Sequence, residues 1–183
     1  MKIPNILTII RFLLIPVIAF LLYSKNPSYI LLSILLFLIA ITSDWLDGFI
    51  ARKRKMISVF GTFFDPIVDK ILVLTILFIF VDLKLIPLWI VLLLLFRELF
   101  VSGGRQVCST PKRFIGSNWM GKSKFVMQTG IIIYTQIYLY LNYSGITSQF
   151  FNQTAVYYAV LIMTILSLIY AFIFLYWYRK RLV

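Results

Sequence analysis

The 183-residue chain contains no histidine and one cysteine, Cys108, and its six acidic residues are outnumbered by eighteen lysines and arginines. Each shortage excludes a kind of chemistry. Without histidine there is no Ser-His-Asp or Cys-His machinery and no histidine-ligated zinc. A single cysteine excludes an intramolecular disulfide. A base working near neutral pH must therefore come from a carboxylate, a lysine or a tyrosine. What the chain has in abundance is apolar surface: 62% of its residues are hydrophobic and 17% aromatic, more than a soluble domain of this length carries.

Six apolar runs stand out, at roughly residues 6–23, 29–50, 59–81, 86–101, 125–143 and 154–178. Most approach the about 20 residues that cross a bilayer as helix. The fourth is the shortest, and Arg97 and Glu98 lie within it. The pattern predicts an all-α, polytopic membrane protein of six transmembrane helices forming one domain, residues 1–183. The first run follows Met1-Lys2 and lacks a small-residue cleavage site, so it should remain as a membrane helix.

The net charge of +12 is unevenly placed. With the N-terminus inside, one side receives Lys2, Arg11, the four cations 52–55, Arg105, Lys112, Arg113, Lys122, Lys124 and the cations 179–181. That is fourteen of the eighteen; the other side has Lys25 and Lys84, while Lys70 and Arg97 lie within runs. The positive-inside rule then puts both termini in the cytoplasm of a protein of the cell membrane. These cations flank membrane spans, which argues against nucleic acid as a partner and for membrane lipids with anionic heads.

Four of the six acids are concentrated between residues 44 and 69. Asp44 and Asp47 are three apart, and Asp65 and Asp69 four apart, so each pair projects from one face of a helix. The basic run Arg52-Lys53-Arg54-Lys55 between them reads as a turn outside the membrane. If the flanking helices turn near Lys55, all four acids occupy similar depths below one membrane face. Carboxylates gathered at one depth repel unless a cation joins them, and their oxygens suit hard divalent ions such as Mg²⁺ or Mn²⁺. A pair of such ions is a recurrent arrangement for displacement at phosphorus. Gly48 and Gly61 remove side chains beside these acids, and Arg52 supplies a cation fit for phosphate. A hairpin whose acids merely paired with Arg52 and Lys70 would leave two carboxylates uncompensated in lipid.

Written out, the stretch is Asp-x2-Asp-Gly-x2-Ala-Arg-x8-Gly-x3-Asp-x3-Asp, from Asp44 through Asp47, Gly48, Ala51, Arg52, Gly61 and Asp65 to Asp69. It resembles the signature of the CDP-alcohol phosphatidyltransferases at every one of its eight specified positions. That resemblance implies six transmembrane helices, usually in a homodimer, with a site at the cytosolic face. It implies CDP-diacylglycerol as substrate and two divalent ions on Asp44, Asp47, Asp65 and Asp69. Gly48, Ala51, Arg52 and Gly61 would shape the CDP site, and Asp69 would take the proton from the acceptor hydroxyl.

Three further segments resemble the phosphatidylglycerophosphate synthases within that family, which implies glycerol 3-phosphate as acceptor. The first is Pro4-Asn5-x-Leu7-Thr8-x2-Arg11-x4-Pro16, whose Asn5 and Thr8 would help close the nucleotide site. Read without the family, Asn5 caps a helix and Arg11 snorkels to the interface. The others are Arg97-Glu98-x3-Ser102-x2-Arg105 and Gly121-Lys122-x-Lys124-x3-Gln128. Gly104 and Phe125 depart from the pattern, which more usually has a larger apolar residue and a threonine there. Residues 103–124 read as the longest polar connection, with glycines as breakers. Arg105, Arg113, Lys122 and Lys124 within it would bind the acceptor's phosphate. Adjacent Arg97 and Glu98 do not face each other on a helix, so each needs another partner. Pro66, inside the third run, should make its helix start or kink near residues 62–66.

Sibling enzymes with phosphatidylglycerol, serine or an inositol compound as acceptor share the signature. A divalent-cation transporter would carry ionisable groups near the midplane, often repeated in two halves. Here the acids cluster in one hairpin near one face, which argues against transport. The orientation is testable by labelling. With Cys108 replaced, a cysteine at position 25 or 84 should react with an impermeant reagent on intact cells, and one at 53 or 181 only after permeabilisation. Labelling of position 53 from outside would invert the topology.

Overall fold

The computed structural model describes residues 3–54, 59–108, 119–146 and 150–182, with side chains for 8–43, 67–103, 125–146, 150–174 and 176. The described residues form six helices and no strand: α1 (Ile3–Tyr23), α2 (Pro27–Arg54), α3 (Val59–Asp82), α4 (Leu88–Cys108), α5 (Trp119–Tyr143) and α6 (Gln153–Leu182). The all-α expectation therefore holds. Gln153–Phe174 is long and apolar enough to cross a membrane; Thr8–Tyr23 and Pro27–Ser43 are shorter apolar stretches. Large apolar side chains such as Phe20, Phe96 and Phe172 are exposed, as expected of surfaces that face lipid.

Four helices extend beyond their apolar runs into cation-bearing sequence. α2 continues to Arg54 and α6 to Leu182, α4 continues to Cys108, and α5 starts at Trp119. The expectation of a polar connection over residues 103–124 is thus corrected at its two ends, while residues 109–118 lie outside the described residues. Gly103 and Gly104 stay in α4, and Gly121, Lys122 and Lys124 in α5. Membrane helices accommodate glycine more readily than soluble ones do. The turn expected at 52–55 is corrected in the same way, because residues 52–54 close α2 as helix. α3 begins at Val59 and runs through Pro66, so the helix starts earlier than that proline suggested.

The opposite ends stop sharply, for local reasons. Asn26 caps α2, its Oδ1 accepting from the Ser28 N–H at 3.0 Å, and Asn152 caps α6, accepting from the Ala155 N–H at 2.6 Å. Pro27 at the first position of α2 needs no amide partner there. α3 closes with Leu85 N–H donating to the Phe80 carbonyl and Lys84 N–H to that of Val81. α5 closes equivalently on Leu141 and Asn142, with Gly145 at φ 73°. This is the Schellman pattern, which needs a left-handed residue after the helix. Glycine suits that position, yet Lys84 (φ 57°) fills it after α3, and Lys25 (φ 54°) is left-handed after α1.

Packing divides the chain into two units, residues 1–79 with 135–151, and residues 80–134 with 152–183. In the first, α1 packs against α2, with Ile18, Leu22, Ile30 and Phe37 fully buried. In the second, α4 packs against α6, with Ile90, Leu94, Val156 and Val160 in the core. Removing either cap leaves orphan amides at a helix start. Asn26→Ala and Asn152→Ala should each cost about 1 kcal/mol, read as a lower unfolding midpoint in detergent. Unchanged midpoints would remove these asparagines from the account of where the helices begin.

Candidate active site

The first unit holds a charged contact that the apolar pattern conceals. Arg11, in the middle of α1, is 2% exposed. Its Nε donates to the Ala40 carbonyl of α2 at 3.1 Å, and its Nη1 donates to Asp69 Oδ1 of α3 at 2.7 Å. A guanidinium away from water needs both a counter-charge and acceptors for its N–H groups. The expected snorkelling of Arg11 is therefore corrected: the side chain turns into the protein and meets them there. Asp69 keeps about a quarter of its side chain accessible, so it remains open to further chemistry.

The other predicted residues can be placed by helical register. Three residues, 24–26, link α1 to α2, and helices joined so shortly are antiparallel neighbours. Counted along each helix from the Arg11 contact, Thr8 lies one turn N-terminal to Arg11 in α1, Asp44 one turn C-terminal to Ala40 in α2 and Asp65 one turn N-terminal to Asp69 in α3. Asn5 and Asp47 follow about a turn further. At a rise of about 1.5 Å per residue, these steps are about 4.5–6 Å each. Thr8 is buried. The side chains of Asn5, Asp44, Asp47, Arg52 and Asp65 lie outside the described residues, as do those of Arg105, Lys122 and Lys124. Gly48, Ala51 and Gly61 are placed as helical backbone only, in α2 and α3. Arg113 lies outside the described residues altogether.

In the second unit, Arg97 makes an analogous tie. It is buried, and its Nε donates to the Ser167 carbonyl of α6 at 3.1 Å. The expectation that Arg97 and Glu98 do not meet needs correction, since Arg97 Nη1 and Glu98 Oε2 are 3.6 Å apart. Long side chains bend back over the backbone where their Cβ atoms do not face each other.

Arg11 is the functional candidate that sequence reasoning missed. The available signal was an ionisable residue well inside an apolar run, spaced three residues from Thr8. Among the described residues the donor chemistry that would suit a hard divalent cation is the part-exposed Asp69 carboxylate, held by the Arg11 guanidinium.

An all-helical chain, a buried arginine tied to Asp69 and a complete eight-residue signature define a class. The chain belongs to the CDP-alcohol phosphatidyltransferase family, whose model matches residues 1–178. It is similar to proteins named CDP-diacylglycerol–glycerol-3-phosphate 3-phosphatidyltransferase. The one from Bacillus subtilis (strain 168) is 35% identical over 135 residues, covering 67% of this chain and 70% of that protein. Those from Rickettsia typhi and Haemophilus influenzae are 41% and 37% identical, each covering 69% of this chain and 71% of the relative.

Because Asp69 supplies a negative charge to a buried guanidinium, Asp69→Asn should destabilise the folded protein. A hydrogen bond to a charged group contributes about 1.5–3 kcal/mol, and the asparagine oxygen recovers part of it. The expected result is a loss of about 1–2 kcal/mol by this reasoning, measured as a lower melting temperature without substrate. An unaltered melting temperature would mean that Arg11 is neutralised elsewhere.

Proposed function

We propose that this protein transfers the phosphatidyl group of CDP-diacylglycerol to the hydroxyl of glycerol 3-phosphate, giving phosphatidylglycerophosphate and CMP in phospholipid biosynthesis. The observation that carries this reading is the unbroken signature from Asp44 to Asp69 in a chain of this family. Relatives at 35% and 41% identity that bear the name of that activity support the choice of acceptor. So do the Arg97–Arg105 and Gly121–Gln128 motifs.

Asp44, Asp47, Asp65 and Asp69 would hold two divalent ions, Mg²⁺ or Mn²⁺. When bound, such ions neutralise the pyrophosphate and stabilise charge on the attacked phosphorus and the leaving CMP. The remaining work falls to the chain. Gly48, Ala51 and Gly61 leave room for CDP, Arg52 pairs with phosphate, and Asn5 and Thr8 close the nucleotide site. Asp69 accepts the proton of the attacking hydroxyl, the base that a chain without histidine can offer. Arg105, Arg113, Lys122 and Lys124 bind the phosphate of glycerol 3-phosphate, which needs cations of its own.

In this reading all six helices cross the cell membrane, both termini and the active site face the cytoplasm, and the enzyme is a homodimer. Helices of 21 to 30 residues are long enough for that. The chain acts as one domain: the division between packing units cuts α3 after Ile79 and α5 before Thr135, within continuous helices.

Purified protein assayed with CDP-diacylglycerol and a panel of alcohols should release CMP with glycerol 3-phosphate, and EDTA should stop the reaction until Mg²⁺ or Mn²⁺ is restored. Asp44→Asn, Asp47→Asn and Asp65→Asn should each abolish turnover in folded protein. Full turnover in chelator would refute the metal assignment. Arg105→Gln, Lys122→Gln and Lys124→Gln should each raise KM for glycerol 3-phosphate about ten- to a hundredfold, the equivalent of one charge-assisted contact. KM for CDP-diacylglycerol should change far less. Preference for an uncharged alcohol would leave the family standing and replace the acceptor.

A further inference from the structure

We propose that Arg11 is a positioning residue that sets the Asp69 carboxylate in register with Asp44. The inference rests on the reading above in taking both aspartates as part of a divalent-cation site. Three observations carry it. Arg11 lies on α1 but bonds to α2 and α3, the two helices that bear the acids. It does so through Nε and Nη1, two donors held at fixed separation in one planar group. The spacing between the Ala40 carbonyl and Asp69 Oδ1 is therefore set by the guanidinium itself.

The third observation is which carbonyl is used. In an α-helix the N–H of each residue bonds to the carbonyl four residues earlier, so the Ala40 carbonyl is the one that receives the backbone N–H of Asp44. Arg11 joins Asp69 to the peptide group on which Asp44 hangs. Stability alone is a poor explanation for such a pair, because replacing buried ion pairs by apolar side chains is often neutral or stabilising. Placement of two ligating carboxylates on separate helices is something an apolar side chain could not provide. Partners that orient ligating side chains typically affect metal affinity or activity by about 10- to 100-fold when removed.

The test uses full-length protein in detergent, with Mn²⁺ as probe and electron paramagnetic resonance to count free ion, in the absence of acceptor. Arg11→Lys keeps the charge and loses the fork. It should melt as a folded protein, bind Mn²⁺ about tenfold or more weakly, and need proportionately more Mg²⁺ for half-maximal turnover. Its KM for glycerol 3-phosphate should stay unchanged. Arg11→Met should also bind Mn²⁺ more weakly, although it removes a cation that would repel the ion. Affinity equal to or tighter than wild type in either variant would overturn the proposal. Wild type that binds no Mn²⁺ would instead refute the metal reading on which it rests. Should both variants fail to fold, a structure of the unaltered protein with Mn²⁺ decides. Retention of both Arg11 bonds supports positioning, and departure of Arg11 from Asp69 on ion binding overturns it.

Discussion

A guanidinium buried among helices must be neutralised where it lies, and the first packing unit is built around that requirement. Arg11 cannot reach an interface without giving up its place in the core, where water is scarce and Coulomb terms are large. Its solution draws a carbonyl from α2 and a carboxylate from α3. The registers of three helices are thereby linked at one point. The acids are carried on helical backbone rather than on loops, which is the more exact way to hold a constellation.

The second unit shows the same preference with a different outcome. Arg97 also uses its Nε to hold a carbonyl of a neighbouring helix, so α4 and α6 are tied by side chain to backbone. Its carboxylate, Glu98, is the next residue on the same helix and stands 3.6 Å away. The Nε bond of Arg97 ties a helix pair, and Arg11 brings an acid from a third helix into register. The difference follows from where the counter-charge sits in the chain.

The two ends of the helices are built differently. At Lys25, Lys84 and Gly145, and at the Asn26 and Asn152 caps, helices stop within a residue or two of the apolar runs. At the ends of α2, α4 and α6 and at the start of α5, helical backbone continues past the runs.

The sequence by itself determined the helical class, the number and approximate span of the helices, and the family, because hydrophobic run length and fixed acid spacing are local properties. The spacing from Asp44 to Asp69 could be read without any contact being known. It could not show that residues 103–105 and 121–124 continue as helix, since a polar, glycine-bearing stretch reads the same as a loop until packing is known. Nor could it show Arg11 turned inward. Snorkelling and burial begin from the same residue at the same position, and what separates them is the presence of Ala40 and Asp69 within reach. Those partners lie 29 and 58 residues away in the chain. Only the tertiary fold brings them together, because the direction of a long charged side chain is decided by which acceptors surround it.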